Sequence, residues 1–202
     1  MMQQDRPSHI TPSGFKKVLT GGRGGQEFGK TAQSYAKEIV QRMLGVEPND
    51  YVSRAMEWGI ENEPFAIELY EDRNACMVKE KSRYTHPEYE FISGEPDGLI
   101  GDDGLIEVKC PNSNNHFKNL RDGEQVDKYM PQMQGYMWLL DRQWCDFVSY
   151  DPRYPEKYQL YQQRIDRDQE FINTLEEKCV KFWNEIVMPI KEEMTDEIQS
   201  TK

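Results

Sequence analysis

A chain of 202 residues, 37% hydrophobic and 30% charged, has enough apolar content for one globular domain built on a sheet and flanking helices. No run approaches the ~18 apolar residues of a membrane span, and Met1–Pro7 is polar where a signal peptide would be apolar, so a cytoplasmic protein without membrane contact is expected. The 25 Lys and Arg against 36 Asp and Glu give a net charge of −11, which argues against a uniformly basic nucleic-acid surface but permits a segregated one.

The charge is segregated along the chain. The first 42 residues hold Arg6, Lys16, Lys17, Arg23, Lys30, Lys37 and Arg42 against Asp5, Glu27 and Glu38, while acids collect from Glu176 to Glu197. Gly21-Gly22-Arg23-Gly24-Gly25 reads as a loop, and the absence of a following Gly-Lys-Ser/Thr excludes a phosphate-binding P-loop. From Phe28 to Leu44 apolar residues recur at helical spacing up to Gly45, and a second helix is predicted over about Val52–Arg73. An extended segment follows near Met77–Tyr84.

In the centre, Gly98-Leu99-Ile100 and Leu105-Ile106-Glu107-Val108 flank Asp102-Asp103-Gly104, a hairpin pattern. Helices are then predicted over Asn114–Arg121 and Tyr129–Leu140, and strands over Trp144–Tyr150 and Lys157–Ile165. A last helix over Arg167–Val187 shows the stripe Phe171, Leu175, Cys179, Phe182, Trp183 and Ile186, and the tail from 189 is polar. This order indicates an α/β domain. Cys76, Cys110, Cys145 and Cys179 form no C-x-x-C pair, so buried free thiols are expected rather than a zinc or iron–sulfur site.

The hairpin carries the chemistry. Residues i and i+2 of a strand share a face, so Glu107 and Lys109 project together, and the hairpin returns Asp97 beside them. Two carboxylates and the Val108 carbonyl are the hard oxygen donors that suit Mg²⁺ or Mn²⁺, with a lysine alongside. A solvated Glu-Lys pair on an exposed hairpin is the competing reading of the spacing alone.

The segment GEPDGLIGDDGLIEVKCP, with Pro96-Asp97, nine intervening residues and Glu107-Val108-Lys109, resembles the PD-(D/E)-x-K nuclease signature. Its flanks, E-P-D-G-L-I and L-I-E-V-K-C-P, resemble the phage lambda exonuclease family, the YqaJ-type viral recombinases. The likeness continues in Ala55-Met56-Glu57-Trp58-Gly59 with Glu63, in Tyr129-Met130-Pro131-Gln132-Met133-Gln134 with Met137-Trp138, in Tyr150-Asp151-Pro152-Arg153, and more weakly in Arg6 and Ile10-Thr11-Pro12-Ser13.

This resemblance implies a restriction-endonuclease-like α/β fold, a mixed sheet flanked by helices, in a single nuclease domain over 1–202, with 1–27 as an N-terminal segment and glycine-rich loop and 189–202 as a tail. It implies a Mg²⁺-dependent 5′→3′ exodeoxyribonuclease (Mn²⁺ substituting) acting on double-stranded DNA ends. A homotrimeric ring, a single-strand annealing partner and a bacterial host cytoplasm belong to the same expectation. Asp97, Glu107, Lys109, Glu63 and Gln132 would be catalytic, with Asp97, Glu107, the Val108 carbonyl and Glu63 on the metal. Arg6 and Ser13 would hold a 5′-phosphate, Arg23 would grip DNA, and Met56 would wedge the duplex end. Each has a plainer alternative: a solvated acidic face for Glu63, a helix cap for Ser13, a surface arginine for Arg6, a core methionine for Met56. A RecB-type or endonucleolytic relative, or a binding module that kept the fold, are the rival functions.

Overall fold

The computed structural model describes residues 8–46, 53–79 and 81–200, without the side chains of 197–200. Pro12, whose missing N–H costs nothing in a first turn, starts helix α1 (Pro12–Leu19). Helix α2 spans Lys30–Met43, and α3 spans Arg54–Asn74, where the Ser53 hydroxyl accepts the Met56 amide at 3.3 Å. Strands β1 (Val78–Lys79), β2 (Tyr84–Thr85), β3 (Ser93–Gly94), β4 (Gly98–Ile100) and β5 (Gly104–Lys109) follow. Helices α4 (Ser113–Asp122) and α5 (Met130–Leu140), strands β6 (Trp144–Tyr150) and β7 (Leu160–Asp166), and helices α6 (Gln169–Phe182) and α7 (Met188–Ser200) complete the chain.

Several elements depart from the sequence expectation. Helix α1 is additional, and the tail from 189 belongs to α7. Strand β7 starts at Leu160 because Glu156–Tyr158 closes a 3₁₀ turn behind Pro155. The central turn uses Gly101, at φ +55°, for its left-handed residue, while Gly104 opens β5. A Cβ on Gly104 would stand 2.2 Å from the Trp144 ring, so close packing rather than turn geometry requires that glycine.

The chain divides into two compact units. One contains Met1–Asp50, Thr85–Ser93 and Gln169–Lys202. Its core joins Phe15, Ala32, Tyr35 and Ile39 to Ile172, Leu175, Cys179 and Phe182, with the Phe182 ring centroid 5.5 Å from Phe28 and 6.1 Å from Tyr35. Between α6 and α7 lies a π turn, Trp183–Val187. Pro189 has no amide hydrogen to continue the regular ladder, and the wider turn absorbs the misfit. The turn moves the buried position from the expected Ile186 to Val187.

The other unit, Tyr51–Tyr84 and Gly94–Asp168, holds a five-stranded mixed sheet in the order β1-β4-β5-β6-β7. Only β5 and β6 run parallel, and α4 and α5 form the crossover between them. Ala66 and Tyr70 of α3 pack on Ile106, Val108, Val148 and Leu160, while α5 covers the opposite face. The buried Asp146 carboxylate ties these layers, accepting from Tyr70 (2.6 Å), Gln162 (3.1 Å) and both prongs of Arg164 (2.8 Å each). The cysteines are free, with Cys145 and Cys179 buried and Cys76 and Cys110 half-buried. Among the described residues no helix is long and apolar enough to cross a membrane.

His116, fully buried on α4, donates from Nε2 to the Tyr158 carbonyl (2.8 Å), and its Nδ1 meets the Ser149 hydroxyl at 2.8 Å. Burial holds its pKa below the ordinary histidine value. The unfolded chain therefore takes up this proton first as pH falls, so stability is full above the ordinary histidine range and is lost on acidification through it. Urea unfolding at pH 7.5 and pH 5.5 should show a smaller acid loss in His116→Gln than in the wild type. Equal losses would mean that the ring protonates freely in the fold.

Candidate active site

Strand β5 sits in the middle of the sheet, paired with β4 on one side and β6 on the other, so its side chains are buried on both faces. Alternation sends Ile106 and Val108 to the α3 side and Glu107 and Lys109 to the other. Asp97 immediately precedes β4, and its Oδ2 accepts the Val108 amide at 2.7 Å. This single bond fixes the Asp97 carboxylate against the backbone between Glu107 and Lys109.

Glu107 has no solvent exposure; its Oε1 is held by the Lys109 ammonium in direct contact, and among the described residues its Oε2 has no hydrogen-bond partner. That ammonium lies 5.2 Å from the Tyr129 ring centroid, and the Tyr129 ring stacks on the buried Phe147, the strand partner of Glu107. Burial pushes the Glu107 carboxyl up to about 8 against the pull of Lys109, with Asp97 and Glu63 adding to the rise. Burial also raises Asp97. The Lys109 ammonium is opposed by burial, but Glu107 and Asp97 hold it above the ordinary lysine value.

Glu63, half-buried on α3, stands close enough to repel the charges of Asp97 and Glu107. Its Oε1 accepts from Lys81 Nζ at 2.8 Å. Gln132, on the first turn of α5, donates to the Tyr136 hydroxyl, which in turn donates to the Glu95 carbonyl at 2.7 Å and lies within the field of Glu107 and Asp97. By contrast Gln134 is buried and structural, bonded to the Asp166 carbonyl (2.8 Å) and the Asp168 amide (2.9 Å). The structure thus brings Asp97, Glu107, Lys109, Glu63 and Gln132 together.

Met56 is 42% exposed at the start of α3, not a core residue. Ser13 and Arg23 belong to the other unit. Ser13 is exposed in the first turn of α1 with its hydroxyl 3.1 Å from that of Thr11, and the N-cap is Thr11, so the cap role expected as its alternative does not apply. Arg23 is exposed in a 3₁₀ turn, Arg23–Gly25, within the glycine-rich segment. Arg6 lies outside the described residues. Sequence reasoning missed Lys81, since nothing in the segment 77–84 marks it, and it passed over Tyr129 and Tyr136, which stand in or beside the quoted Tyr-x-x-Gln stretch.

Among the described residues no three His, Cys, Asp or Glu side chains converge as a complete metal-ligand set. The available oxygen donors are Glu107, whose Oε2 is open, Asp97 and the backbone beside them, with Glu63 held by Lys81.

Residues 2–143 match the YqaJ-like viral recombinase domain. Protein YqaJ of Bacillus subtilis is 27% identical over 146 residues, 67% of this chain and 42% of that protein, so the chain spans less than half of its length. The alkaline exonuclease LHK-Exo of Laribacter hongkongensis superposes with a TM-score of 0.87 at 33% identity, covering 98% of this chain and 96% of that one. Its complex with dAMP gives 0.85 at 33% identity, over 96% and 95%. A phage-related exonuclease from Haemophilus somnus 129PT shares the fold, with a TM-score of 0.75 at 22% identity over 91% and 96%. The sheet and helices are of the restriction-endonuclease-like type, and the chain belongs to the YqaJ-like viral recombinase domain family.

Proposed function

We propose that this chain is a Mg²⁺-dependent exodeoxyribonuclease that digests linear duplex DNA in the 5′→3′ direction and leaves 3′ overhangs for strand annealing. A nucleic-acid hydrolase is supported by the family and by the likeness to LHK-Exo, and a deoxynucleotide as the product class by the dAMP held in that relative. The observation that carries the reading is the buried Glu107 carboxylate beside Asp97, its Oε1 held by Lys109 and its Oε2 without a partner among the described residues.

A buried carboxylate without hydrogen bonds costs free energy unless a cation compensates it. Lys109 supplies one positive charge and bonds Oε1, which leaves Oε2 open toward a second cation. Asp97, Glu107 and the Val108 carbonyl are hard oxygen donors and fit Mg²⁺, with Mn²⁺ as substitute, and Glu63 would join them after parting from Lys81. When bound, the ion would supply Lewis-acid polarisation of the phosphodiester and a lower pKa for water. Lys109 offsets charge developing on the phosphoryl oxygens from a position braced by Tyr129. Gln132 orients the attacking water from the α5 side. Arg6 and Ser13 would hold the 5′-phosphate, Arg23 would grip the duplex, and Met56 would separate its end.

Glu107→Gln should lower cleavage by roughly a thousandfold or more, several kcal/mol of barrier. An active Glu107→Gln enzyme would sink the assignment. Linear duplex carrying 5′-phosphates should be consumed with Mg²⁺, 5′-hydroxyl ends more slowly, and closed circles not at all. Rapid cutting of closed circles would favour an endonuclease.

The net charge of −11 opposes a monomer meeting a polyanion, and a closed homotrimer with its basic residues turned inward would reconcile the two in the cytoplasm of a bacterial host. Light scattering should give three times the 23.9 kDa chain mass. A processive monomer would refute the ring and leave the catalytic residues untouched.

A further inference from the structure

Beyond the carboxylate centre, a second constellation of the same unit surrounds Asp151. This residue directly follows strand β6 and is completely buried. It accepts from Arg153 Nε (2.7 Å), Arg153 Nη2 (2.9 Å), the Arg153 amide (3.0 Å) and the Ser113 hydroxyl (2.8 Å). Burial pushes its carboxyl up, but these bonds together hold it below the usual range. The guanidinium also lies on the Trp58 ring, 4.6 Å from its centroid, and its Nη2 is 3.5 Å from the Pro111 carbonyl.

A counterion serving only to neutralise a buried carboxylate would be expected to turn inward with it. Arg153 does not: its side chain is 49% exposed, and Nη1 makes no bond to the described residues. Two prongs and one ring face are committed, so the outward N–H groups are held in a fixed direction with little rotamer freedom left to lose. The constellation also adjoins the carboxylate centre. Trp58 and Glu63 share α3, and Pro111 lies two residues beyond Lys109. Cys110, between them, feels the charges of Glu63, Lys109 and Asp97 and also that of Asp151.

We infer that Arg153, clamped by Asp151 and Trp58, is a binding site for a DNA phosphate next to the one that is cleaved. It binds substrate through hydrogen bonds from a pre-oriented guanidinium and takes no part in the bond-breaking step. The inference rests on the nuclease reading of the Asp97–Glu107–Lys109 centre.

The test compares wild type, Arg153→Gln and the double variant Asp151→Asn/Arg153→Gln, using fluorescence anisotropy on a labelled linear duplex with Ca²⁺ in place of Mg²⁺, and steady-state cleavage with Mg²⁺. The double variant removes both charges, leaves the net charge unchanged and strands no buried carboxylate, so it reads the interaction even where Arg153→Gln alone fails to fold. Loss of one oriented phosphate contact should weaken Kd and raise KM about tenfold while kcat stays within about twofold, with a shallower dependence of Kd on salt. A folded variant with wild-type Kd and KM overturns the proposal and leaves Arg153 as the counterion of Asp151. A wild type that neither binds nor cuts duplex DNA would instead overturn the nuclease reading.

Discussion

The desolvation of Glu107 is the constraint around which this unit is organised. A carboxylate is placed at the centre of a sheet, in a strand with neighbours on both sides, where water is excluded and one ammonium on the same strand face bonds it. Such a group is tolerated only because cations are brought to it, and the surrounding residues are the means of doing so. Lys109 comes from the same strand face, its ammonium backed by the Tyr129 ring, which rests on Phe147. Asp97 is locked by the Val108 amide, so the second carboxylate cannot swing away from the first. Beside burial, the neighbouring acidic charges raise the affinity of Asp97 and Glu107 for protons and, by the same repulsion, for a divalent cation.

Sheet topology supplies the rest. The parallel pairing of β5 with β6 demands a crossover, and that crossover delivers α5, with Gln132 and Tyr136, to the face that Glu107 and Lys109 occupy. On the reverse face Asp146 gathers Tyr70, Gln162 and Arg164, joining α3 to β6 and β7. Helix α3 is thus anchored at Tyr70 while its earlier turns carry Trp58 and Glu63 toward the chemistry. Pro64, inside that helix and directly after Glu63, removes one amide donor at the point where the acidic side chain emerges.

Strand and helix periods made most elements readable: the β6 boundaries are those predicted, and α2 to α5 lie within a few residues of expectation. The misses share a cause. Helix α1 is short, the π turn follows from a proline two residues beyond it, and Gly104 answers to an indole forty residues away, so each depends on context that no local pattern contains. The same holds at the site. Asp97, Glu107 and Lys109 could be singled out because they sit within thirteen residues of one another in a hairpin whose wording resembles the PD-(D/E)-x-K signature, where the spacing alone left a solvated pair open. Lys81, Tyr136 and the Arg153 clamp were not legible as site residues, because their meaning lies in distant partners: Glu63, Glu95, and Asp151 with Trp58.

What the amino-acid sequence determined alone is the chemistry on offer: a hairpin whose alternation puts a carboxylate and an ammonium on one face, with a second carboxylate at the opening of the first strand. Alternation is a local property of an extended chain and needs no partner. Only the tertiary structure decided that this hairpin is the buried middle of a sheet rather than a solvated ribbon. The flanking β6 and the two helix layers come from segments far along the chain, and they alone remove the water that would otherwise make Glu107 an ordinary surface acid.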